Sequence, residues 1–124
     1  MNIIIDTHIF LWLLFDTKRI KQEHLKLLKK ENVNLYLSSI SLVEIAIKKS
    51  VGKLEIEFDL ELVKRKMQLE ILEFDEKSAI KFYKLPMYHK DPFDRMIIAQ
   101  ALAHDYTILT YDEKFRKYGC RLIY

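Results

Sequence analysis

The sequence predicts an α/β domain built on a mainly parallel sheet of about five strands flanked by helices. Three observations carry this. Short β-branched or alternating apolar runs recur along the chain. Longer stretches with helical apolar spacing separate them, which is the alternation expected of βα units. Finally, 124 residues, half of them hydrophobic and 31% charged, have the length and composition of one globular domain.

The elements follow in order. Ile3-Ile4-Ile5, closed by Asp6, reads as a short, fully buried strand. Thr7 to Phe15 is apolar and free of breakers, which predicts a short helix. Ile20 to Glu31 spaces Ile20, His24, Leu27, Leu28 and Glu31 helically and is polar elsewhere, the pattern of an amphipathic helix. Val33 to Ser38 alternates with period two and predicts a strand. Ser41 to Ser50 is helical, and Gly52 stops it. Leu60 to Leu69 is a second amphipathic helix, Ile71 to Phe74 a strand, and Glu76 to Leu85 a helix ended by Pro86. Asp91-Pro92 opens a helix that runs to His104. Tyr106 to Thr110 is rich in β-formers. Asp112 to Tyr118 predicts a short helix and Arg121 to Ile123 a last strand. No linker, repeat or low-complexity tract divides residues 1–124.

Rare residues narrow the chemistry. The single cysteine, Cys120, excludes an internal disulfide and a multi-cysteine metal site. Two glycines are too few for GxGxxG, and the Walker A spacing is absent. No apolar run approaches the roughly 18 residues of a membrane span, and the N-terminus lacks the basic region of a signal peptide. The expectation is a soluble, cytoplasmic protein. Its net charge of +3 does not by itself imply nucleic acid.

Acids stand where a parallel sheet places its ligands, beyond the carboxyl ends of the strands. Asp6 follows the first strand, Glu44 lies one turn into the helix after the second, and Asp112 comes just after the Tyr106 strand. Asp94 sits in the first turn of the helix that crosses over to that strand. Each also fits a local role: Asp6 and Asp112 as N-caps, Asp94 near the positive end of a helix capped by Asp91, and Glu44 in a capping box opened by Ser41. If the four carboxylates converge, their repulsion calls for a hard divalent cation such as Mg²⁺, which takes oxygen ligands. Such a site suits phosphodiester hydrolysis.

At these residues the chain resembles the PIN-domain nucleases, and within them the VapC-type toxins of toxin–antitoxin pairs. The matching blocks are Ile4-Ile5-Asp6-Thr7-His8 with Leu11-Trp12, and Ser38 to Glu44 continuing to Lys48. They continue as His89-Lys90-Asp91-Pro92-Phe93-Asp94-Arg95 with Ile98 to Ala101, and Leu109 to Phe115. The resemblance implies a single PIN-like domain with Asp6, Glu44, Asp94 and Asp112 as the acidic quartet holding Mg²⁺ or Mn²⁺. It implies an endoribonuclease that leaves a 5′-phosphate and a 3′-hydroxyl on single-stranded or loop RNA (tRNA, rRNA or mRNA). It also implies an inhibitory antitoxin partner and a homodimer. Asp112 occupies the position that varies most within the family, and Asp91 is assigned mainly to capping.

Thr7, Arg95 and Asp91 are possible supporting residues. The Thr7 hydroxyl is expected either to bond a metal ligand or water or to act only as a local cap, and Arg95 either to pair with an acid or to bind a phosphate. His8 and His89 flank the site and are read as packed or solvated. Phe10, Trp12 and Phe15 are expected in the core or a dimer interface rather than stacking on bases. Lys48, Lys49 and Lys53 form either an RNA-tracking patch or an ordinary solvated face. Two rival functions remain. One is a PIN domain that processes or binds RNA without toxicity. The other is a receiver-like signalling module, disfavoured because Thr7 follows Asp6 and no lysine closes the Tyr106 strand.

Overall fold

Ile3, Ile4 and Ile5 are wholly buried at the centre of the sheet. Alternation along that strand splits them: Ile3 and Ile5 enter one core cluster and Ile4 the other, so the sheet is covered on both faces. A computed structural model describes all residues, Met1–Tyr124. The strands are β1 (Asn2–Ile5), β2 (Asn34–Ser38), β3 (Leu69–Leu72), β4 (Thr107–Leu109) and β5 (Leu122–Ile123). They lie in the order β3-β2-β1-β4-β5, and every pairing is parallel.

The helices are α1 (Thr7–Phe15), α2 (Gln22–Leu28), α3 (Ser39–Ser50), α4 (Leu60–Met67), α5 (Glu76–Lys84) and α6 (Pro92–His104). Two 3₁₀ segments, Thr17–Arg19 and Glu113–Tyr118, complete the set. Ile9 and Phe10 of α1, Ile45 of α3 and Val63 of α4 pack on the face of Ile3 and Ile5. Ile97, Ile98 and Ala101 of α6, with Phe115, cover the face of Ile4. The expected α/β architecture stands, with five strands, all parallel. No helix is long and apolar enough to cross a membrane.

Three boundaries move. Helix α3 begins at Ser39, because Ser38 caps it by accepting from the Ile40 amide at 3.0 Å. The capping box with Ser41 at its head and Glu44 three residues on is therefore not formed. The third strand is Leu69–Leu72 rather than Ile71 to Phe74. Gln68 adopts the left-handed conformation (φ 50°), ends α4 at Met67, and sends Leu69 straight into register with Leu35. Helix α2 is shorter than its amphipathic pattern, spanning only Gln22–Leu28.

The strand order reverses direction between β1 and β4, where ligands of open α/β sheets bind. The Asp6 amide continues that ladder, donating to the Leu109 carbonyl at 3.1 Å. Gln100, fully buried on α6, donates to the Leu72 carbonyl at 3.0 Å and accepts from the Ser38 hydroxyl. One side chain thus locks α6 against the ends of β2 and β3.

Candidate active site

Each acid reaches the carboxyl edge by a local rule. Asp6 ends β1 and caps α1, its Oδ1 accepting from the Ile9 amide at 2.7 Å. Its Oδ2 accepts from the Thr110 hydroxyl at the end of β4. Asp91 caps α6, accepting from the Phe93 amide at 2.8 Å and the Asp94 amide at 3.3 Å, with Pro92 in the first turn. Asp112 caps the last 3₁₀ segment through the Lys114 amide at 2.9 Å. For Asp6 and Asp112, capping and clustering coexist because the end of a strand supplies both, whereas Asp91 caps α6 from the loop that joins it to α5.

Glu44 is different. It lies in the body of α3 and is only 2% exposed. Its Oε2 accepts from Lys48 Nζ at 2.7 Å, while the buried Oε1 has no partner at all. A buried, partnerless carboxylate oxygen is costly unless something cationic answers it.

Asp94 shows the convergence most clearly. Burial pushes its pKa up to about 8, and the charges of Asp91, Asp6, Glu44 and Asp112 add to the rise. Burial also raises Asp6, against hydrogen bonds from Thr110 and Ile9 that lower it. Asp6, Glu44, Asp94 and Asp112 therefore share one electrostatic neighbourhood.

The residue that sequence reading undervalued is His89. It is packed, as expected, being 5% exposed. Its Nε2 also lies 2.7 Å from Asp94 Oδ2 and 3.5 Å from Asp112 Oδ2. The Asp91 amide donates to Nδ1 at 3.4 Å, which places the ring proton on Nε2, facing the acids. His89, Asp94 and Asp112 offer donor atoms within 4.8 Å of one another. The usable signal was spacing: a histidine in the loop before α6, five residues ahead of Asp94. That loop is pinned by Tyr118, whose hydroxyl accepts from the His89 amide and donates to the Pro86 carbonyl, both at 2.8 Å.

The supporting residues fall out as follows. Arg95 meets no carboxylate. Its Nη1 donates to the His89 and Lys90 carbonyls at 3.1 and 3.2 Å, so it braces the His89 loop. Thr7 spends its hydroxyl on Ser41, 2.7 Å away, joining the starts of α1 and α3. Lys48 and Lys49 pair with Glu44 and Glu57, leaving Lys53 exposed without a carboxylate partner. Phe10 is core and Phe15 is exposed, whereas Trp12 is half-buried and lines a cleft with Asp6, His8, Tyr111 and Asp112. Cys120 is half-buried, and burial raises its thiol pKa.

An acid-lined cleft at the switch point of a five-stranded parallel sheet defines a class of α/β domain built around clustered carboxylates. A family model described as PIN domain matches residues 3–119, and the chain belongs to that family. No curated protein matches it. Among solved structures it is similar to VapBC2 from Rickettsia felis, bound to a DNA fragment from their promoter. That match has 22% identity, covers 99% of this chain and 98% of that one, and has a TM-score of 0.72. VapBC-1 from nontypeable Haemophilus influenzae matches at 19% identity over 99% and 97% of the two chains, with a TM-score of 0.67. DNA-bound VapBC from Salmonella typhimurium matches at 23% identity over 99% and 97%, with a TM-score of 0.65. The receiver-like alternative is set aside by the family match.

Proposed function

We propose that this PIN domain is a metal-dependent endoribonuclease, the toxin of a toxin–antitoxin pair. The observation that carries the reading is Glu44 Oε1, buried without a partner in the neighbourhood of three further acids. The donor set fits a divalent ion. Asp6, Glu44, Asp94 and Asp112 would hold Mg²⁺ or Mn²⁺, with His89 Nε2, 2.7 Å from Asp94 Oδ2, positioning Asp94. When bound, the ion supplies a water of lowered pKa and offsets charge on the phosphate.

The chain's own residues do the remaining work. Thr110 and the Ile9 amide hold both Asp6 oxygens in place. Arg95 and Tyr118 hold the His89 loop, and through it Asp94. The ionised Asp94 carboxylate would be favoured beside a bound cation, against the burial and the like charge that hold its pKa up.

The toxin assignment draws on the fold neighbours, which are VapBC toxin–antitoxin assemblies on DNA in two of the cases above. A partner that binds promoter DNA would work in the cytoplasm, where this chain would then act. An apolar groove between α1 and α4, lined by Leu13, Leu14, Phe58, Leu62 and Met67, suits an amphipathic antitoxin helix. Exposed Ile80 and Tyr83 on α5 offer a separate apolar face for a homodimer. Which RNA is cut is left to experiment: purified protein is expected to cleave RNA with Mg²⁺ or Mn²⁺ and to stop on EDTA. Unchanged cleavage by Asp6→Asn would sink the assignment. Rescue of growth by the neighbouring gene on induction separates a toxin from a non-toxic RNA-processing PIN domain.

A further inference from the structure

A cleft of about 260 Å³ is lined by two of the acids, Asp6 and Asp112, together with His8, Trp12 and Tyr111. It is smaller than the roughly 300–1,000 Å³ that encloses whole drug-sized ligands, and suits a single heterocycle. Its wall is aromatic and ordered. The Trp12 and Tyr111 ring centres lie 6.1 Å apart with planes inclined by 30°, and His8 stands 5.9 Å from Trp12. Tyr111 is fixed from behind: its hydroxyl accepts from the Lys21 amide at 3.1 Å and lies 2.8 Å from His24 Nδ1. Cations stand over both rings, Arg19 at 5.4 Å from the Trp12 centre and Lys21 at 5.5 Å from the Tyr111 centre. Lys21 has no carboxylate partner, so its charge is free for a backbone phosphate.

We propose that this cleft seats the base of the nucleotide adjoining the scissile phosphate, stacked on the Trp12–Tyr111 wall. Efficient cleavage then requires that base to be unpaired. The inference rests on the nuclease reading of the adjacent acids and deepens it. Carboxylates alone recognise a phosphate through a cation and say nothing of the base. An aromatic wall with cations close to its rings is the combination by which single-stranded nucleic acid is held, bases on rings and phosphates on charges. A π-face accepts any base, so the wall selects for an unstacked nucleotide more than for a sequence.

Trp12 is the chain's one tryptophan, so its emission reports the cleft directly. The probe is a short single-stranded RNA in two forms, intact and with one abasic nucleotide stepped along it. Titrated into the Asp94→Asn variant, intact RNA is expected to quench Trp12 emission. RNA that is abasic at one position is expected to bind more weakly, by about 5- to 150-fold, and to leave emission unchanged. With the wild-type protein and Mn²⁺, kcat/KM falls by a similar factor when that same position is abasic. Tyr111→Leu shows this loss on intact RNA and no further loss on the abasic RNA, while Tyr111→Phe keeps most of the wild-type rate.

RNA that binds by anisotropy without quenching, or a flat abasic series, would overturn the inference while leaving the nuclease reading intact. Quenching by intact RNA without any cleavage would leave the base site standing and remove the nuclease reading. Quenching by a co-expressed partner protein but by no RNA would assign the cleft to that protein and overturn the proposal.

Discussion

Replacing Asp94 by asparagine should stabilise the metal-free protein at alkaline pH and do little at acid pH. Asp94 ordinarily titrates near 3.8 and is raised to about 8 in the native state. A group whose folded pKa lies above its unfolded value binds its proton more tightly when folded. The stability it contributes is full below pH 3.8 and drains as pH rises through about 8. Each unit of displacement is worth about 1.4 kcal/mol, so the loss is on the order of 6 kcal/mol. That is a large share of a domain's net stability. Asparagine carries no charge at any pH, keeps the size of the side chain, and still offers an oxygen to His89 Nε2. The assay is urea unfolding in EDTA, wild type against Asp94→Asn, at pH 5 and pH 9. The variant is expected to be several kcal/mol more stable at pH 9, with the gap closing toward pH 5. Equal midpoints at pH 9, or a gap independent of pH, would refute the claim that buried like charge strains this site.

Further outcomes follow from the same contacts. Divalent-ion affinity should rise by up to about tenfold per pH unit below pH 8, with about one proton released per ion in calorimetry across two buffers. A pH-independent affinity would mean that Asp94 is already ionised without metal. Gln100→Ala should cost about 2–4 kcal/mol in thermal unfolding, because it strands the Leu72 carbonyl and the Ser38 hydroxyl and leaves a void. A loss below about 0.5 kcal/mol would show that this bridge does not lock α6. Arg95→Ala should speed hydrogen exchange across residues 86–91 and weaken ion binding by about 10-fold, as loss of an orienting shell does. Unchanged exchange in that loop would remove Arg95 as its brace.

Much of the site was legible before any coordinates because the signals are local. Asp6, Asp91 and Asp112 cap the segments they precede, and capping is decided within three residues. The alternation of strands and helices then sends the carboxyl ends of the strands to one edge, which places Asp6 and Asp112 there. Glu44 was legible as an acid near that edge but not in its role. A serine three residues ahead imitates a capping box, and only the actual cap at Ser38 shows that Glu44 is free of that duty. The shift of β3 to Leu69 has a similar origin, since the left-handed turn at Gln68 leaves no mark in hydrophobic periodicity.

Composition, period and caps determined the fold class and the parallel sheet, because each depends on neighbours in sequence. Tertiary structure alone decided which carboxylate oxygen is left without a partner, that His89 faces Asp94 and Asp112, and that Trp12, while packed against the core, also lines the cleft beside Asp6 and Asp112. Those facts depend on segments far apart in the chain, as Thr110 on Asp6 and Tyr111 on His24 illustrate. Burial and like-charge crowding exist only once such segments pack, so the electrostatic strain at Asp94 is a property of the fold and of no single stretch of sequence.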